Sequence, residues 1–97
     1  MKLTVDDVKR VIKENEVEIR KFGVEEIYLF GSVVRGEAKD TSDVDFLVKF
    51  GPGGTDFFTL HDLEQFLESK LKTKVDLGTK LHPMLKDKIM REALRVA

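Results

Sequence analysis

The 97-residue chain contains no cysteine, so neither a disulfide framework nor a thiolate metal site is available to it. It also lacks a long apolar run. No hydrophobic stretch approaches the roughly 20 residues that cross a bilayer, and the opening "MKLTVDDVKR" has no apolar core of a signal peptide. Neither a membrane association nor export is expected, which leaves a cytoplasmic location. An excess of one charge is missing as well. Lys and Arg number 17 and Asp and Glu 18, for a net charge of -1. A protein that coats nucleic acid needs an electropositive surface, so direct nucleic-acid binding is not expected. A nucleotide ligand stays open, because a metal and a few amides can hold its phosphates. Asn and Gln are nearly absent beside abundant Lys and Glu, a composition that leans toward a thermophile. What is present, 41% hydrophobic and 36% charged residues, suits one domain over 1–97 with a single modest core.

The pattern of apolar residues orders the chain. Thr4 followed by Asp7 resembles a capping box, and Val8, Val11, Ile12 and Ile19 recur near helical spacing, which predicts a first helix to about Lys21, closed near Gly23. "EIYLF" reads as a strand that runs directly into Gly31-Ser32, and Val33 to Gly36 as a brief helical turn. "DVDFLVKF" alternates, with Val44, Phe46, Val48 and Phe50 on one face and Asp43, Asp45 and Leu47 on the other. "GPGGTD" is a flexible connector whose Thr55 or Asp56 can cap a second helix carrying Leu60, Leu63, Phe66, Leu67 and Leu71. "KVDLG" reads as a further strand around Asp76. Pro83 suits the first turn of a last helix with Leu85, Ile89 and Leu94 inward. The expected fold class is α/β in the α+β sense, a small mixed β-sheet packed with helices.

Two aspartates in one apolar strand call for an explanation. Asp43 and Asp45 emerge on the same face, and like charges that close repel unless one protonates or a cation intervenes. Mg²⁺ is held by one or two protein carboxylates while phosphates and water complete its shell. Asp76 also interrupts an apolar strand and is the candidate third carboxylate. Three carboxylates on one sheet edge can hold two cations in the manner of phosphoryl or nucleotidyl transfer. Gly31 and Ser32 stand where a strand meets a helical turn, a place favourable to an anion. Gly31 admits a phosphate close to the backbone and the Ser32 hydroxyl can donate to it. Arg35 can reach the same anion or pair with a carboxylate of the cluster. Taken singly, a Gly-Ser pair is usually a turn, a DxD triplet arises by chance, and a lone Arg is usually surface. Their order within one short run is what points to a metal-bound nucleoside triphosphate.

Gly31-Ser32, ten intervening residues and then Asp43-Val44-Asp45-Phe46 resemble the signature of the DNA polymerase β-like nucleotidyltransferase superfamily. The fuller "GSVVRGEAKDTSDVDFLV" is similar to its minimal nucleotidyltransferase (MNT) branch, where Arg35-Gly36 and Ser42 also match. "KVDLG" fits the strand that carries the family's third carboxylate, and "LHPMLKDKIMREA" is similar to its closing helix. The resemblance implies a polymerase β palm-like fold and Mg²⁺-dependent transfer of a nucleoside monophosphate, AMP from ATP, with pyrophosphate released. Asp43 and Asp45 would bind both metals, and Asp76 would complete the site and help activate the attacking hydroxyl. Gly31 and Ser32 would hold the β and γ phosphates with assistance from Arg35. Many MNT proteins are antitoxins paired with a HEPN-domain ribonuclease, and some adenylylate a tyrosine of that toxin, so a HEPN toxin is the implied partner. HEPN toxins carry an Arg four to six residues before a His; neither His61 nor His82 has one, so this chain is not the toxin.

Two other functions fit the same residues. One is a binding module that silences its partner by steric masking with a vestigial site. The other is transfer to a small hydroxylated molecule of the aminoglycoside type, for which no additional cradling domain is seen. Among the remaining residues, His82 reads as a helix-start residue and His61 as exposed. Phe57 and Phe58 read as core or partner contacts. Lys49, Lys72, Lys74 and Lys80 read as solvated charges, with Lys80 an outside candidate for phosphate.

Overall fold

The computed structural model describes residues 3–37, 43–79 and 91–97. Its elements run in the order α1 (Val5–Glu14), α2 (Glu16–Arg20), β1 (Val24–Phe30), α3 (Ser32–Arg35), β2 (Val44–Phe50), α4 (Phe57–Leu71), β3 (Val75–Gly78) and β4 (Leu94–Arg95). The α+β class expected from the sequence is what forms: helices with a four-stranded mixed sheet of order β3-β2-β1-β4.

Thr4 starts α1 through a full capping box. Its hydroxyl accepts from the Asp7 N–H at 3.2 Å while the Asp7 carboxylate accepts from the Thr4 N–H at 3.0 Å, so two orphan donors of the first turn are satisfied. The single helix expected to reach Lys21 is instead broken at Asn15. That residue leaves helical geometry at φ -112 and ψ 15, and its side-chain amide donates back to the Val11 carbonyl at 2.8 Å. Asparagine competes with the helical backbone in this way. Ile19 is nevertheless buried with Val8 and Ile12, so the break turns the chain without losing the apolar face.

In β2 the expected alternation holds: Val44, Phe46 and Val48 are buried, while Asp45, Leu47 and Lys49 face away from the core. In β1 the buried residues are Val24, Ile27 and Leu29. An odd spacing from Val24 to Ile27 on one face needs an irregularity, and the register against β2 slips between Val24 and Glu26. The Arg20 guanidinium caps this bulge by donating to the carbonyls of Val24 and Glu25.

Asp56, rather than Thr55, caps α4, its carboxylate accepting from the Thr59 N–H at 2.7 Å. From α4, Leu63, Leu67 and Leu71 enter the core. Leu60 and Phe66 are only half-buried, and Phe66 meets Phe22 with ring centroids 5.7 Å apart. As the crossover from β2 to β3, α4 lets those strands pair in parallel.

Two expectations are corrected. Leu94 lies in β4 rather than on the inner face of a helix, pairing with Leu29 at the sheet edge and 38% exposed. The unpaired edge of β1 is the reason: the Val96 N–H donates to the Ile27 carbonyl at 2.8 Å and the Ile27 N–H to the Ala97 carbonyl at 3.1 Å, closing an edge that would otherwise be open. Phe57 and Phe58 are not core residues, each being 79% exposed. The rest of the expected last helix, with Pro83, Leu85 and Ile89, lies outside the described residues, although Arg91 and Glu92 are helical. Among the described residues no helix is long and apolar enough to cross a membrane.

Candidate active site

Sheet register brings the motif together. Asp45 pairs with Phe30, the last residue of β1, on one side and with Asp76 of β3 on the other. Asp43 stands just before β2. Because β1 and β2 are antiparallel, the chain leaving Phe30 enters Gly31 beside the Asp45 carboxylate. Gly31 has φ 83 and ψ -152, a conformation closed to side-chain-bearing residues. A Cβ built there would collide with Asp45, whose Cγ would stand 3.2 Å away. The carboxylate therefore rests against bare backbone.

The turn after Gly31 is held by its own hydrogen bonds. The Arg35 N–H donates to the Gly31 carbonyl at 3.2 Å, and the Glu37 N–H to the Ser32 carbonyl at 2.9 Å. Gly36 closes α3 in the left-handed region at φ 72. Ser32 is half-buried at the start of this turn, and Val33 anchors it in the core.

Electrostatics report the proximity of the three aspartates. Burial pushes the Asp45 carboxyl above the ordinary aspartate range, repulsion from Asp76 and then Asp43 adds to it, and Arg35 offsets part. Asp43 and Asp76 are exposed while Asp45 is half-buried, so Asp45 bears the desolvation. The Arg35 guanidinium, expected to meet an anion or the aspartates, is engaged elsewhere. Its Nε donates to Glu37 Oε2 at 3.0 Å and its Nη1 to Glu92 Oε2 at 3.3 Å. These contacts raise its already high pKa, Glu37 foremost.

Among the described residues no three His, Cys, Asp or Glu side chains stand ready as a metal cage. The donor set still fits a hard cation. It offers carboxylate oxygens, and a divalent ion would offset both the burial that chiefly lifts Asp45 and the repulsion from Asp76 and Asp43 that adds to it. Mg²⁺ in particular uses few protein ligands and leaves positions for phosphates and water.

Sequence reasoning missed the two glutamates on Arg35. Glu37 is two residues away and within reach of inspection, but Glu92 is 57 residues distant and carries no local signal. Of the other residues singled out, His61 is exposed and Lys49 pairs with Glu26 at 3.7 Å. Lys72 and Lys74 are exposed, and Ser42, Lys80 and His82 lie outside the described residues. Phe57 and Phe58 follow the far end of β2 from Asp45. A groove of about 280 Å³ lined by Glu18, Lys21, Phe22 and Phe66 contains none of the site residues.

Residues 7–96 match the family model described as a nucleotidyltransferase domain. A protein adenylyltransferase MntA of Thermococcus cleftensis is 43% identical over 96 residues, covering 96% of this chain and 92% of its own length. A solved structure provisionally assigned as a minimal nucleotidyltransferase superposes with a TM-score of 0.81 at 30% identity, covering 95% of each chain. The crystal structure of a toxin–antitoxin MntA–HepT superposes with a TM-score of 0.59 at 25% identity, covering 88% of this chain and 71% of the other.

Proposed function

The chain belongs to the nucleotidyltransferase family, within its minimal branch, and on that premise we propose that it is an Mg²⁺-dependent protein adenylyltransferase. It transfers AMP from ATP to a hydroxyl, most simply a tyrosine of a partner HEPN ribonuclease toxin, and so acts as the antitoxin in the cytoplasm. The observation that carries this reading is the contact of the Asp45 carboxylate with the Gly31 backbone. A group suited to a cation and a turn suited to a phosphate abut with no side chain between them. The 43% identity to an MntA adenylyltransferase supports a protein as acceptor.

In this reaction the acceptor oxygen attacks the α-phosphorus of ATP. One P–O bond forms, the bond to the β-phosphate bridging oxygen breaks, and pyrophosphate departs. Gly31 lets the triphosphate lie against the main chain, and the Ser32 hydroxyl donates to a phosphate oxygen. Arg35 offers its free guanidinium donors to the same group. Asp76 accepts the proton of the attacking hydroxyl or orients it. Asp43, Asp45 and Asp76 would hold the cation, which when bound supplies charge neutralisation at the phosphates and a Lewis acid for the transfer.

The test is transfer of label from α-labelled ATP to the purified HEPN partner in the presence of Mg²⁺. Wild type is expected to label the partner, with Asp43→Asn/Asp45→Asn reduced at least about 100-fold, as for loss of groups acting on the transition state. Equal labelling by both proteins would sink the proposal. Silencing of the toxin by the double variant without labelling would point to steric masking instead.

A further inference from the structure

We infer that Glu92 sets the nucleotide affinity of this site: it pairs with the Arg35 guanidinium and is displaced when a nucleoside triphosphate binds. The inference rests on the nucleotidyltransferase reading. Arg35 follows the phosphate turn by one helical turn, and its charge already reaches Asp45. Yet two of its donors are committed, Nε to Glu37 at 3.0 Å and Nη1 to Glu92 at 3.3 Å. A guanidinium has five N–H donors in one plane, so the glutamates leave it ordered but largely neutralised. A carboxylate and a phosphate compete for the same fork, and only one can take the Nη1 edge.

Glu92 is placed for this role by structure remote from the motif. It precedes β4, which is fastened to β1 by Tyr28↔Arg95 and Leu29↔Leu94 pairing and by an Arg95–Glu26 ion pair at 3.2 Å. The C-terminal strand thus delivers a carboxylate to the phosphate turn. The pair is also suited to exchange. The Arg35 and Glu92 side chains are 43% and 41% exposed, and half-exposed ion pairs are weak enough to yield to a better partner. Glu37 and Glu92 both stand on Arg35, whose charge also reaches Asp45, and Asp45 is itself repelled by Asp76 and Asp43. A triphosphate approaching them meets net repulsion, to which Glu92 adds at the arginine itself.

Glu92→Gln keeps the side chain's shape and removes its charge. The expected result is a fall of about two- to fivefold in KM for MgATP and in Kd for a non-hydrolysable ATP analogue, the range that exposed pairs span. Glu92→Asp should stay near wild type. In an Arg35→Ala background the same change should do nothing, because the competition has no object. Unchanged or weakened analogue binding in Glu92→Gln, or an equal gain without Arg35, would overturn the inference. Thermal midpoints of all variants separate this from misfolding. Should wild type bind the analogue yet transfer nothing, the enzymatic reading fails while the binding comparison still decides the role of Glu92. A wild type that bound no nucleotide would end both.

Discussion

Gly31 concentrates two constraints that a single methyl group would violate. Its φ of 83 and ψ of -152 are essentially glycine's alone, and forcing a side chain into such a region costs on the order of 1–3 kcal/mol. The added Cβ would also meet the Asp45 carboxylate, with Cγ at 3.2 Å. Asp45 cannot yield freely, since it is a β2 residue paired on both sides. Gly31→Ala should therefore lower the thermal midpoint and reduce AMP transfer more than tenfold, because the carboxylate moves along with the turn. Combining it with Asp45→Ala should recover part of the stability loss, leaving the backbone strain alone; losses that simply added would argue against the contact. The need for a small residue at this turn is visible in the sequence. What only the fold reveals is that the neighbour is Asp45, because the antiparallel register of β1 and β2 has to be known first.

At the scale of elements, period-two alternation in β2 and the leucine spacing of α4 were legible because one face of each is buried against a common core. Breaks and edges were not. Asn15 interrupts a helical pattern through its own amide, and β4 exists because β1 has an edge to fill; neither leaves a period in the apolar residues. The pairing of Asp45 with Asp76 depends on α4, whose length and exit set β3 beside β2. That exit is strained. Lys72 ends the helix in the left-handed region at φ 58 and ψ 36, where a side chain costs about 1 kcal/mol or more and glycine does not. Glu68 meanwhile accepts from the Val75 N–H at 3.1 Å, tying the last turn of α4 to the start of β3. Lys72→Gly should raise stability by about 0.5–1 kcal/mol, a few degrees in the midpoint of a domain this size, with AMP transfer unaltered. A lower midpoint would show that the lysine itself stabilises the exit.

For the molecule as a whole, the site is a charge burden on an otherwise balanced chain of net charge -1. The described residues contain no fully buried polar or charged residue, and the core is apolar throughout. Asp45 is the group that shows the burden, its carboxyl raised by burial and by Asp76 and Asp43. A carboxyl whose folded pKa exceeds its unfolded value binds protons more tightly when folded. Stability then falls as pH rises from the unfolded value of 3.8 through the raised folded one, and above that window the full penalty stands. Metal-free Asp45→Asn should accordingly be more stable than wild type at neutral pH, with the gap closing as the pH is lowered through the carboxylate range. Thermal unfolding against pH in the presence of a chelator measures this. Added Mg²⁺ should raise the wild-type midpoint by preferential binding to the folded state, and raise that of Asp45→Asn less. A variant less stable than wild type at pH 7, or a gap that does not change with pH, would mean the aspartate is not the cost. If the gap behaves as expected, the site is retained against stability, as a cation- and nucleotide-binding function would require.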